Sequence, residues 1–206
     1  MYINEPLKEY LNDLAAKKPA PGGGSAAALA ACVGTSLMSM VANFTIGKPK
    51  YQAVEKKITD ILEKVRQYDK ELREIIDEDV VAFEKMSKGL KTCGDDQAAK
   101  DEFYKDAIEP PFLVCEISHH CLLLCKELAA IGNKNLITDV AIAAIMLEGA
   151  FFSAKFNVYI NLECVKDMDY IGKVHKVLHP LEERMPKLKE DILEACEEVI
   201  DKITCR

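Results

Sequence analysis

VEKKITDILEKVRQYDKELREIIDEDVVAFEKMSKGL, residues 54–90, decides the fold. At steps of three and four it returns to one seam: Val54, Ile58, Ile61, Val65, Tyr68, Leu72, Ile75, Asp79, Phe83, Met86 and Leu90. That is the helical period, so the stretch predicts a long helix, about Tyr51 to Lys91, with this face turned toward a core. One member of the seam is a carboxylate. Successive residues advance by about 100°, so Asp77 is expected to point well away from the seam and Glu78 to one side. Both can be solvated there, while Asp79 is carried inward. A carboxylate among apolar groups is costly to keep charged unless a hydrogen bond, a counter-charge or a raised pKa relieves it. Asp79 therefore reads either as part of a structural ion-pair or amide network, or as a catalytic acid or base in a pocket. Periodicity alone leaves both open.

Outward from this helix the pattern stays helical. A first helix is expected from Pro6 to Lys17, with Leu7, Tyr10, Leu11 and Leu14 on one face. Pro19, Pro21 and three glycines end it, and Ser25 is the expected N-cap of a second helix that continues to Ile46. That helix is rich in Ala, Gly and Ser, which lets neighbours come close. A fourth helix should run to Ile131, broken or kinked at Pro110 and Pro111, which lack the donor that a helix interior needs. A fifth, Leu136 to Val165, is apolar on nearly every face and should be central or sandwiched between subunits. Tyr170 to Leu178 and, after Pro180, an amphipathic tail ending near Thr204 complete the chain. No stretch alternates with a period of two, and there is no internal repeat. The expectation is an all-α bundle of long antiparallel helices forming a single domain over residues 1–206.

Composition narrows the partners. The formal net charge is −7 and 49% of the 206 residues are hydrophobic, which argues against a nucleic-acid groove or an anionic membrane surface. The N-terminus does not read as a signal peptide, and the apolar runs Ala26–Val33 and Val140–Leu147 fall short of a membrane span. The eight cysteines, Cys32, Cys93, Cys115, Cys121, Cys125, Cys164, Cys196 and Cys205, form no CxxC pair and read as buried thiols of a reducing, cytoplasmic compartment.

Other residues stand out more weakly. In PAPGGGSAAA, residues 19–28, Gly22, Gly23, Gly24 and Ser25 lead into a helix start whose free N–H groups favour anions; a tight turn with a cap explains the same residues. Lys48 and Lys50 could meet a carboxylate tail, or serve solubility only. Asp139 sits in the first turn of the fifth helix, where the dipole favours an acid without further role. Asn157 follows eighteen residues later, about five turns, on the same stripe, in surroundings too apolar to leave an amide without a partner. His119 and His120, or His175 and His179, could be imagined around a metal, but neither pair forms an H-E-x-x-H motif.

Together, APGGGSAAA (20–28), MVANFTIGK (40–48), IDEDVVAF (76–83), GNKNLITD (132–139) and FNVYINL (156–162) resemble the cyclodeaminase family. That family comprises the C-terminal domain of formiminotransferase-cyclodeaminase and free-standing bacterial cyclodeaminase/methenyltetrahydrofolate cyclohydrolase proteins. These stretches occur in the family's order across most of the chain. The sequence departs from the pattern at Thr138, where Ser is usual, and at Glu78, which replaces a small residue. The resemblance implies that Asp79 is the catalytic aspartate, and that Gly22, Gly23, Gly24, Ser25, Asn133, Asp139 and Asn157 line a pocket for a tetrahydrofolate derivative. It also implies a homodimer.

The implied chemistry is closure of formimidoyltetrahydrofolate to methenyltetrahydrofolate with loss of ammonia, Asp79 moving the protons. Hydrolysis of methenyltetrahydrofolate to the formyl compound in the same pocket is the alternative. Neither needs a metal or a redox cofactor beyond the folate itself. A polyglutamate tail would find the Gly-rich helix start and Lys48 or Lys50. Two rival readings remain. A magnesium-dependent nucleotide pyrophosphohydrolase would use Glu74, Asp77 and Glu78 with a facing cluster from Glu194, Glu197 and Glu198. A non-enzymatic helical adaptor would keep Asp79 as an ion-pair member.

Overall fold

The computed structural model describes residues 1–204, and Cys205 lies outside them. Among these residues there is no strand. Six α-helices carry the fold: α1 Leu7–Ala15, α2 Gly23–Asn43, α3 Glu55–Gly89, α4 Gln97–Ile131, α5 Ile137–Leu162 and α6 Met168–Thr204. Short 3-10 turns at Tyr2–Asn4, Pro49–Val54 and Lys134–Leu136 join them.

Cross-links fix the directions. Thr35 Oγ1 donates to Asp69 at 2.8 Å and Ser25 Oγ to the Ile76 carbonyl at 2.8 Å, so α2 and α3 run antiparallel. Lys85–Asp106 and Lys57–Glu127 do the same for α3 and α4. Lys155–Glu182 and Lys189–Glu148 do so for α5 and α6. The Ala-rich α2 sits against α3, α4 and α5. Its smallness is used: a Cβ on Gly34 would stand 3.0 Å from Leu147 Cγ and 3.3 Å from the Ala143 carbonyl, so α2 and α5 nearly touch by their backbones. Ala28, Ala31, Leu72, Ile108, Leu122, Leu147, Phe151 and Leu178 fill the core.

The seam of α3 is as expected: Ile58, Ile61, Val65, Leu72, Ile75 and Met86 are buried. Asp77 is not. Expected in solvent, it is 8% exposed, because the N-terminal 3-10 turn folds over that side and donates the Tyr2 and Ile3 N–H groups to its carboxylate. Glu78 is exposed, as expected.

The prolines also behave differently from expectation. α4 continues through Pro110 and Pro111 without a break. Pro111 cannot donate to the Ala107 carbonyl, and Asn161 Nδ2 of α5 donates to it instead, at 3.4 Å, a substitute of the kind that lets a helix tolerate proline. α6 likewise runs as one helix through Pro180 and Pro186. An interior proline costs about 3 kcal/mol; burial of Leu178, Leu181, Met185 and Ile192 against α4 and α5 opposes that cost.

Two helical stretches, Gly23–Asn43 and Lys134–Leu162, are long and apolar enough to cross a membrane, contrary to the shorter runs expected from sequence. Their inner faces form the core. The outer face of α5 is apolar and exposed at Ile142, Ile145, Met146, Phe156 and Ile160, and that of α2 at Val33, with Phe44 exposed just past its end.

Candidate active site

The turn that begins α2 meets Asp79 head-on. The residue before the helix, Gly22, makes no side-chain cap, and the expected cap, Ser25, lies inside the helix. Its hydroxyl is turned back to Ile76. The cap is supplied by α3: Asp79 Oδ2 accepts the Ser25 N–H at 2.9 Å. An anion there also faces the positive end of the α2 dipole. Gly24 makes the approach possible, since a Cβ on it would overlap the carboxylate, standing 2.6 Å from Asp79 Cγ.

Above the carboxylate opens a cleft of about 140 Å³, lined by Pro19, Ala20, Gly22, Gly23, Gly24, Asp79, Phe83, Ala107, Asn157 and Asn161. Asp79 is the one charged residue of that lining. Burial pushes its carboxyl above the ordinary carboxylate range, and the Ser25 N–H pulls it partly back. The group can therefore exchange a proton closer to neutrality than a solvated aspartate.

Asn157 packs beside Gly23, whose absent Cβ would lie 3.3 Å from both atoms of its amide. Its Nδ2 donates to the Ser153 carbonyl at 3.0 Å. Asn161, one turn further on, donates to Ala107 as described. Each amide oxygen is then left as an acceptor at the cleft. Sequence reasoning missed Asn161; the signal was the spacing of four from Asn157 together with the carbonyl that Pro111 orphans. It also missed Tyr10, read only as part of an apolar face, whose hydroxyl lies 3.2 Å from Ser25 Oγ.

The remaining expected site residues are elsewhere. Asn133 is buried and structural: its N–H donates to Thr45 Oγ1 at 3.0 Å, its Nδ2 to the Phe44 carbonyl at 2.9 Å, and its Oδ1 accepts from the Asn135 N–H at 3.2 Å. Asp139 begins α5 and is about 27 Å along that helix from Asn157. Lys48 and Lys50 are exposed beyond the far end of α2, over the rings of Phe44 and Tyr51, about 30 Å from the Asp79 end. Within one chain none of these four approaches the cleft.

A roomier cleft, about 550 Å³, lies between the end of α5 and α6 and is lined by Tyr159, His175, His179 and Glu182 among others. Of its two acids, Glu182 is already used, accepting from the Tyr159 hydroxyl and pairing with Lys155, and Glu163 is exposed. Among the described residues no group of three or more His, Cys, Asp or Glu is arranged to hold a metal ion, the histidine pairs included. Glu194, Glu197 and Glu198 are on α6, which packs chiefly on α4 and α5 and does not present them to Glu74, Asp77 and Glu78 on α3.

Known proteins resemble this chain in sequence and in fold. The chain is 34% identical to the methenyltetrahydrofolate cyclohydrolase of Methylorubrum extorquens, over 93% of this chain and 95% of that protein. It is 29% identical to the formimidoyltransferase-cyclodeaminase of Sus scrofa over 87% of this chain, but spans only 34% of that longer protein. The crystal structure of formiminotetrahydrofolate cyclodeaminase from Thermotoga maritima superposes with a TM-score of 0.91 at 28% identity, covering 97% of this chain and all of that one. The formiminotransferase-cyclodeaminase family profile matches residues 6–179, and the chain belongs to that family.

Proposed function

We propose that this chain is a single-domain folate one-carbon enzyme that closes formimidoyltetrahydrofolate to methenyltetrahydrofolate and releases ammonia, with Asp79 as general acid and base. The observation that carries the reading is the Asp79 carboxylate itself, alone in charge in its cleft and made less acidic by burial. The anilino nitrogen attacks the carbon of the protonated amidine and forms the new C–N bond, leaving the terminal nitrogen as an amine. The anilino proton passes to Asp79. The bond from that carbon to the terminal nitrogen then breaks as the nitrogen takes a proton from Asp79 and departs as ammonia. What remains is the cationic methenyl bridge, which an ionised Asp79 stabilises. Asn157 and Asn161 offer amide oxygens to the donor groups of the pteridine. None of these steps is routed through a metal or redox group.

A second reading in the same cleft is favoured by the match along nearly the whole of the Methylorubrum extorquens cyclohydrolase. There water adds to the cationic methenyl carbon and gives one proton to Asp79; one carbon–nitrogen bond of the bridge then breaks, the freed nitrogen takes the remaining hydroxyl proton, and the carbon is left as the formyl group.

We further propose a homodimer that completes the site. The cleft of about 140 Å³ is smaller than the roughly 300–1,000 Å³ typical of sites that enclose a drug-sized ligand. Phe156 and Ile160, 69% and 68% exposed, flank Asn157 and Asn161 on α5, and a second copy seated there would wall the rest of the substrate. The cytoplasm suits both a folate substrate and the free thiols.

The test offers the purified protein each folate separately and follows the methenyl absorbance. Asp79→Asn is expected to lose about 10²–10⁴-fold in kcat while staying folded. A folded variant that turns over at the parent rate sinks the assignment of Asp79, and a parent inert toward both folates sinks the reading.

A further inference from the structure

The N-terminal segment grips the Asp79 turn from behind. The Tyr2 and Ile3 N–H groups donate to Asp77 at 2.6 and 3.3 Å. The Tyr2 hydroxyl donates to Asp13 at 2.8 Å, and its ring meets Tyr10 edge to face with centroids 5.4 Å apart. Tyr10 is 3% exposed. Because the Ser25 hydroxyl hydrogen is committed to the Ile76 carbonyl, the Tyr10 hydroxyl is the donor in its 3.2 Å contact and Ser25 Oγ the acceptor. The N–H of the same Ser25 holds Asp79. One serine is therefore tied by its side chain to α1 and to the main chain of α3, and by its backbone to the carboxylate.

We infer that Tyr10, acting through Ser25, is a positioning residue for Asp79: α1 and the turn before it brace the start of α2 so that the Ser25 N–H and the bare Cα of Gly24 form a fixed seat for the carboxylate. This rests on the reading of Asp79 as the acid and base. A loose seat would change both the direction and the acidity of Asp79. Around it, α2 contributes glycines and Ser25, α4 Ala107, and α5 the neutral Asn157 and Asn161. On α3, Asp77 is occupied by Tyr2 and Ile3, and Glu78 is in solvent. Tyr10 is the titratable neighbour; burial first, and the Asp79 charge after it, push its hydroxyl upward.

The experiment compares the parent with Tyr10→Phe and Ser25→Ala, the first removing one hydroxyl bond and the second both. The Asp79 carboxyl is titrated directly by carbon NMR, and kcat and KM are measured against pH on the substrate the parent uses. Loss of the hold on the Ser25 N–H removes the influence that lowers the Asp79 pKa, so the midpoint should move to higher pH, more for Ser25→Ala than for Tyr10→Phe. The acid limb of kcat should follow it, with kcat down about tenfold and KM within about twofold. The double variant should lose little more than Ser25→Ala alone, since both act through one chain of bonds. Variants that melt earlier but keep the parent's midpoint and acid limb would reduce Tyr10 to a packing residue and overturn the inference. If the parent lacks folate activity while the midpoint still moves, the functional reading fails and the brace stands.

Discussion

The α2–α5 pair has polar side chains at both ends, and the ends treat them differently. At the far end Asn133 has its backbone N–H, amide nitrogen and amide oxygen all bonded within the protein, and the Tyr51 hydroxyl accepts the Lys134 N–H at 3.1 Å. At the near end Asp79, a stronger acceptor, has one N–H, a raised pKa and an open cleft before it. Fully satisfied polar groups specify structure; an under-satisfied acid beside empty space is a group kept available for chemistry.

The most severe way to break the contrast is Gly24→Ala. The added methyl would occupy the carboxylate's place, so Asp79 must leave the Ser25 N–H or α2 must start later. Turnover is expected to fall by about 10³-fold or more, with the core and thermal transition little changed. Near-parent kcat in that variant would show that the seat is not where the chemistry happens. Asn133→Ala should do the reverse. It leaves the Phe44 carbonyl and the Asn135 N–H without the amide that partners them, costing about 1–3 kcal/mol by denaturant unfolding, while kcat per folded molecule stays as it was.

The near end was legible because its key residue obeys a local rule: the helical period alone puts Asp79 among Ile75, Phe83 and Met86. What hides from a local rule is anything decided by distant chain. Asp77 obeys the same period and was assigned to solvent, yet a turn some 75 residues away covers it. Pro110 and Pro111 read as a break because the donor that relieves Ala107 sits on α5. Ser25 fits the preference for an N-cap, but a carboxylate from α3 does the capping. Asp139 and Asn157 do share one stripe of α5, as their spacing says, and the same arithmetic puts them at opposite ends of the bundle.

A smaller effect sharpens the comparison from the side of stability. The folded pKa of Asp79 lies above that of an unfolded aspartate. Below the unfolded value both states are protonated and nothing is lost. As pH rises through the interval, the unfolded chain ionises first, and stability falls until the folded pKa is passed. Asp79→Asn has no such penalty and can still accept the Ser25 N–H. Its melting temperature should match the parent's at acid pH and exceed it increasingly toward neutrality, as expected where an active site is held at the expense of stability. A variant less stable than the parent at neutral pH would mean that Asp79 is a structural acceptor like Asn133.

The smallest expected effect belongs to Lys48. It is exposed, with its ammonium 5.9 Å from the Phe44 ring centroid, and the length of α2 separates it from Asp79 by about 30 Å. Such a contact in solvent contributes about 0.5–1 kcal/mol, so Lys48→Ala should leave stability nearly unchanged and KM for a monoglutamyl folate within about twofold. A polyglutamylated substrate makes the measurement decisive. Within one chain the lysine is too far to meet the tail, and KM should be as indifferent as before. If KM rises for the polyglutamate alone, more at low salt than at high, the lysine must come from a second subunit packed on the exposed faces of α2 and α5. The two ends of the bundle would then be one site, divided in the monomer and joined in the dimer.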